Sequence, residues 1–228
     1  YTEDALVEQP ALALMEELGW EPLNAYHEFD HGNSILGRET RAEVILTSRL
    51  RQSLQQLNPE LQPEAFDQAI DILTKDRSRM SMVAANMEIY SLLKHGIRVN
   101  IVDPKDDSEK VEVVRLIDWE QPKNNNYLIC SQFWVTGEMY TRRADLVGFV
   151  NGIPLILFEL KATHRRLETA FSGNISDYKD TIPQLFWPNA FIIIPDVSQS
   201  SIGSITSGWE HFNEWKKIRS EEEEPRVS

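Results

Sequence analysis

Apolar residues recur about every 3.6 positions through the first hundred residues and then switch to alternation, so a helical first part is followed by a strand-rich second part. Leu6, Ala11, Leu14, Met15 and Leu18 form the stripe of an amphipathic helix over residues 3–18, stopped by Gly19. Residues 20–29 read as a short strand and loop. Val44, Leu46, Leu50 and Leu54 place a second helix over 40–57, Pro63 opens a third that runs to about 73, and residues 81–93 make a fourth that ends at Gly96. Ile97, Val99 and Ile101 then alternate, as do Val111 and Val113, and residues 127–135 carry the β-branched and aromatic side chains of a strand. Two apolar runs, 144–150 and 153–160, flank Asn151-Gly152, the strongest short hairpin signal. Residues 170–180 are polar and helix-compatible, and 190–194 read as a strand buried on both faces. The pattern predicts one α/β domain over 1–220: a mixed sheet around the central hairpin, flanked by helices, with an added helical portion at about 40–95.

At 228 residues, with 41% hydrophobic and 26% charged, the chain can bury a sizeable core and lies away from disordered compositions. No apolar run approaches the ~20 residues of a bilayer-spanning helix, and the N-terminus lacks a basic-then-apolar signal. A soluble, cytoplasmic protein without a membrane partner is expected. A single cysteine, Cys130, excludes an internal disulfide and a thiolate zinc site. The net charge of -13 argues against a simple nucleic-acid coat protein. That charge is unevenly spread: residues 1–40 hold nine carboxylates against one arginine, whereas residues 141–170 hold five Lys/Arg against three carboxylates. The acidic run at 221–228 reads as a linker towards something further. There is no GxxxxGK[ST], so ATP hydrolysis by a P-loop is excluded for this stretch, and the histidines have no metal-ligand spacing.

Charge interrupts the hairpin at one level. Asp145 lies near the start of one strand, while Glu159 and Lys161 follow the apolar run 153–158 of the next. Pairing through a turn at 151–152 matches residues whose numbers sum to 303, so Asp145 is expected to face Phe158 and lie beside Glu159. Glu159 and Lys161, two apart, point to one face. Two carboxylates and an ammonium suit a hard divalent cation such as Mg²⁺, which takes oxygen ligands, keeps several waters and accepts phosphate oxygens. Asp145 and Glu159 would ligate it, and Lys161 would orient the attacking water and offset developing charge, giving metal-assisted phosphodiester hydrolysis.

Asp145, thirteen residues, then Glu159-Leu160-Lys161 resembles the PD-(D/E)xK nuclease superfamily, with Ala144 in place of the Pro. The stretches LVEQPAL, LMEELGW, ADLVGFVNGIPLILFELK, DYKDTIPQLFWPNAFIII and WEHFNEWK resemble, over nearly the whole chain, the N-terminal nuclease domain of the restriction (R, motor) subunit of type I restriction-modification enzymes. The resemblance implies a restriction-endonuclease-like core and a type I site-specific deoxyribonuclease activity on double-stranded DNA. It implies a Mg²⁺ cofactor, ATP only in the full-length subunit, a motor region C-terminal to this stretch, and methylation and specificity subunits as partners. It also implies further residues. The Gln-x-x-x-Tyr of the family corresponds to Asn174 and Tyr178, four apart on one helical face, where an amide and a phenol can bond DNA or organise the carboxylates. Glu8 is the candidate for a metal-directed Glu of the first helix, and the Leu160 backbone carbonyl for a further metal ligand.

Each residue also has a plainer role. Asp145 alone could pair with Arg142 or Arg143, Glu8 could face solvent on its helix, and Tyr178 could cap the core. Arg165 and Arg166 are candidates for phosphate contact as well as for a solvated helix start. Trp187, Trp209 and Trp215 suit apolar packing better than base stacking. The alternative function is a non-cleaving docking or regulatory module of a DNA-translocating complex that keeps the nuclease fold.

Overall fold

A computed structural model describes residues 7–30, 32–102, 108–161, 168, 171–195 and 200–214. Arg165, Arg166, Trp215 and the acidic stretch 221–228 lie outside the described residues. The helical spacing of the first part forms α1 (Gln9–Glu17), α2 (Thr47–Leu57), α3 (Pro63–Thr74) and α4 (Met82–His95). The Ser81 side chain accepts the Ala84 N–H to start α4, and Gly96 ends it at a φ of 78°. α2 begins at Thr47 and not at 40, because the Glu43 carboxylate accepts the backbone N–H groups of Glu39 and Thr40 and holds that stretch as a turn.

The strands are β1 (Glu21–Asn24), β2 (Ile97–Val102), β3 (Glu109–Val114), β4 (Tyr127–Thr136), β5 (Thr141–Val150), β6 (Ile153–Phe158), β7 (Phe191–Pro195), β8 (Ser200–Gly203) and β9 (Asn213–Glu214). A π-helical turn (Phe171–Ile175) leads into a short helix, α5 (Ser176–Thr181). Seven strands form one mixed sheet in the order β1-β4-β5-β6-β7-β8-β9, and β2 and β3 form a separate antiparallel ribbon. β1 runs parallel to β4 and β7 parallel to β6; the other neighbours are antiparallel. The short, polar β8 and β9 extend the sheet beyond what the hydrophobic pattern announces.

One continuous core joins Leu50, Leu54, Phe66 and Ile89 of the helices to Leu128, Phe149, Ile153 and Ile192 of the sheet. On the other side of β5 and β6, Val7 and Met15 of the first helical stretch pack with Ile129, Leu146, Phe158 and Leu160. The central hairpin is therefore covered on both faces, each fully buried aliphatic or aromatic side chain contributing about 1.5–3 kcal/mol. β7 is less covered than expected: Ile192 and Ile194 are buried, but Phe191, Ile193 and Pro195 are half-buried, because the smaller layer ends at Ile193.

The hairpin turn takes the form its dipeptide predicts, with φ of 53° at Asn151 and 80° at Gly152. A β-carbon on Gly152 would lie 2.6 Å from the Leu46 carbonyl oxygen, so the turn also sits against the start of α2. Asn151 is fully buried; its side chain accepts the Asn126 N–H at 2.7 Å and donates to the Leu116 carbonyl and Asn125 Oδ1 at 2.8 Å each.

Candidate active site

Hairpin register decides which charged groups meet. Val150 pairs with Ile153 and Phe149 with Pro154, but the next pairs are Gly148 with Ile156, Val147 with Leu157 and Leu146 with Phe158. Leu155 is the extra residue of a bulge. Pro154, which has no N–H for the ladder, marks the place where a central strand tolerates one. Leu146, not Asp145, faces Phe158, which corrects the regular register expected from the sequence. The correction matters, because a one-residue slip exchanges the two faces of a strand. In a regular ladder Asp145 would share its face with Phe158 and Glu159 would point the other way. One further step of the observed register sets Asp145 opposite Glu159, on the same face.

Glu159 is fully buried, and the backbone carries it by its N–H bond to the Ile193 carbonyl of β7 at 3.0 Å. Its Oε1 accepts from Lys161 Nζ at 2.8 Å and from the Asn174 side-chain amide. Its Oε2 is buried without a hydrogen-bond partner among the described residues. Burial first, and then the Asp145 carboxylate, push the Glu159 carboxyl up to about 7, with Lys161 and Asn174 acting in the opposite direction. Asp145 Oδ2 accepts the Leu160 N–H at 2.9 Å, fixing the aspartate across the strand end.

Asn174 lies on the π-helical turn, exposed but with its amide on Glu159, and Tyr178 is buried on α5. The Tyr178 hydroxyl donates to the Arg143 carbonyl at 2.9 Å. Its burial, with Glu159 and Asp145 nearby, holds the phenol well above its ordinary range. Arg142 bonds Asp177 of α5, with 2.9 Å from Nη2 to Oδ1. Glu8 is buried and not solvent-facing: it precedes α1 at the same end of the sheet and accepts the Gln132 side-chain amide at 2.6 Å.

Gln132 is the site residue that sequence reasoning missed. It has a left-handed φ of 58° in the middle of β4, level with Asp145 of β5. Leu146 packs in the cluster beside α1, whereas Ala144, two residues away, packs in the main core, so the β4–β5 ladder changes its inward side across this position. No sequence signal announces a left-handed glutamine in a strand. Glu8, Gln132, Asp145 and Leu160 line a cleft of about 340 Å³ together with Tyr26 and Arg143. A larger hollow of about 690 Å³, lined by Met80, Met139 and Trp187, holds none of the carboxylates just described.

Among the described residues, no group of three or more His, Cys, Asp or Glu side chains is drawn together as a metal cluster. A cation would draw on Asp145, Glu159 Oε2, the Leu160 carbonyl and water. That donor set is all oxygen and incomplete by itself, which fits Mg²⁺ and its retained waters.

Residues 1–211 match the family described as type I restriction enzyme R protein N terminus. The chain is 31% identical over 231 residues to the type I restriction enzyme HindI endonuclease subunit of Haemophilus influenzae, covering 97% of this chain and 21% of that protein. It is 29% identical over 233 residues to the provisionally named type I restriction enzyme MjaIXP endonuclease subunit of Methanocaldococcus jannaschii, with the same coverage of 97% and 21%. The chain thus spans about a fifth of the length of these relatives.

Proposed function

The chain belongs to the type I restriction enzyme R protein N-terminal family, and from that premise we propose that it is the DNA-cleaving part of such a subunit, acting through a Mg²⁺-dependent centre of the PD-(D/E)xK type. The observation that carries the reading is Glu159 Oε2, a buried carboxylate oxygen without a hydrogen-bond partner among the described residues, beside Asp145 of the cleft wall. A buried oxygen of this kind is costly unless something positive satisfies it, and a divalent cation does so while offsetting the repulsion from Asp145.

Bound there, Mg²⁺ would supply a Lewis acid for the phosphodiester. Asp145, Glu159 and the Leu160 carbonyl would hold the cation. Lys161 Nζ, tied to Glu159 Oε1, orients the attacking water and balances charge that grows in the transition state. Asn174 bonds the same oxygen and favours its charged, metal-binding form. Tyr178 ties α5 to the β5 backbone two residues before Asp145. In this reading double-stranded DNA is the substrate, ATP acts only on a motor region of the full-length subunit, and methylation and specificity subunits complete the complex.

The net charge of -13 favours a second reading, a docking or regulatory module that keeps the fold without cutting. One set of variants separates the two. In the full-length subunit, Asp145→Ala and Glu159→Ala should lose Mg²⁺ affinity by calorimetric titration and lose cleavage in the assembled complex. Lys161→Ala should lose cleavage and still bind metal, because an ammonium is no metal ligand. Parent-like metal binding and cutting in all three would overturn the cleavage reading.

A further inference from the structure

Arg143 presents a guanidinium that the carboxylate site does not use. It is exposed on β5, two residues before Asp145, and pairs across the ladder with Trp134 of β4. Its guanidinium carbon lies 5.2 Å from the centre of the Tyr26 ring and 5.4 Å from that of Trp134. Hydrogen bonds fix the Trp134 indole and the Tyr26 backbone: the Trp134 indole N–H donates to the Tyr26 carbonyl at 3.2 Å, and the Tyr26 backbone N–H donates to Asn24 Oδ1 at 2.9 Å. Aromatic faces attract a guanidinium without using its N–H donors, so the bracing fixes the plane and leaves its edge able to fork onto a phosphate. The adjacent Arg142 differs, since its guanidinium is bonded to Asp177.

Arg143 and Tyr26 line the same cleft as Asp145 and Leu160. A DNA strand entering that cleft meets the carboxylates of Glu8 and Asp145 in a chain of net charge -13, and a fixed cation at this wall offsets their repulsion of the phosphates. We propose that Arg143, braced by Tyr26 and Trp134, is a phosphate-binding residue that holds the DNA backbone next to the phosphate presented at Asp145 and Glu159. This rests on the reading of that centre as the cleaving site.

The test uses the full-length subunit and a fluorescent duplex of unrelated sequence, titrated in EDTA over a salt series. Arg143→Ala should weaken binding about tenfold and lower the slope of log affinity against log salt by about 0.9, the loss of one phosphate contact. Arg143→Lys should keep the slope and bind a few-fold more weakly, because an ammonium keeps the charge without the fork. In the assembled complex, Arg143→Ala should raise the DNA concentration for half-maximal cleavage while the rate at saturating DNA holds. An unchanged slope for Arg143→Ala, or weakening that simply follows a lower melting temperature, overturns the proposal. Asp145→Asn keeps the two failures apart. If it stops cleavage while Arg143→Ala leaves the slope unchanged, only the role of Arg143 falls. If Asp145→Asn still cuts, the cleaving centre is wrong, and the placement of Arg143 beside a scissile phosphate falls with it.

Discussion

Replacing Glu159 by Gln should remove a pH dependence of stability expected of the metal-free parent chain. Glu159 is fully buried, and its carboxyl rises from an ordinary 4.5 to about 7 on folding. The folded state therefore holds this proton more tightly than the unfolded state does. The corresponding stability is fully present below pH 4.5 and is lost as pH rises through about 7. At about 1.4 kcal/mol per pH unit, the loss amounts to about 3 kcal/mol. Gln is neutral at every pH and has nearly the same shape, so Glu159→Gln should match the parent at low pH and exceed it by about 3 kcal/mol at pH 8. Urea melts of both chains in EDTA at a series of pH values measure the difference, and reading the difference cancels the titration of every other group. Mg²⁺ should then stabilise only the parent, by about 2.7 kcal/mol at a hundredfold excess over Kd. Parallel stability curves from pH 5 to 8 would refute the reasoning. So would a variant less stable than the parent at pH 8, the result expected if Glu159 and Lys161 were simply a structural ion pair.

Three further outcomes follow from the same geometry. Tyr178→Phe should cost about 1 kcal/mol in urea melts through the lost bond to the Arg143 carbonyl, and should slow cleavage in the assembled enzyme while Mg²⁺ affinity holds. Asn174→Ala removes a donor that favours charged Glu159, so calorimetric Mg²⁺ affinity should fall at pH 7 and recover as pH rises. Asn151→Ala removes three buried hydrogen bonds and places an alanine at positive φ, a loss of about 3–4 kcal/mol in urea melts, whereas Asn151→Gly should lose about 1 kcal/mol less because glycine accepts that φ.

The hairpin was legible because Asn151-Gly152 is a local signal and both flanking runs are long; the helix now bounded by Pro63 and Thr74 was legible for similar reasons. The convergence of Asp145, Glu159 and Lys161 could be read from charge interrupting an apolar strand, although the regular register used to reach it was wrong by one residue. Leu155 reads like any other apolar strand residue, and only the pairing of its neighbours Pro154 and Ile156 with Phe149 and Gly148 marks it as a bulge. Tertiary contacts hid the rest. Glu8 is singled out by the resemblance, but its spacing does not distinguish it from an exposed helix residue until Gln132 arrives from β4. Likewise, Glu28 and Arg38 form a buried ion pair between irregular segments with no periodicity to betray it. Strands β8 and β9 went unread because four-residue and two-residue polar strands carry no alternation to count.

The extra residue at Leu155 also restricts how this hairpin can change in length. Asp145 and Glu159 share a face only because an odd residue sits between them and a two-residue turn, so the site depends on parity as well as on spacing. Deleting Leu155 should yield a straighter, more regularly bonded hairpin with its two carboxylates on opposite sides of the sheet, a protein expected to fold without the proposed metal site. Insertions between the two carboxylates are then neutral to the site only in pairs, or singly when a second bulge appears or this one is lost. Related chains should accordingly differ in this interval by even steps, and a designer who idealised the strand would part the two carboxylates without replacing either of them.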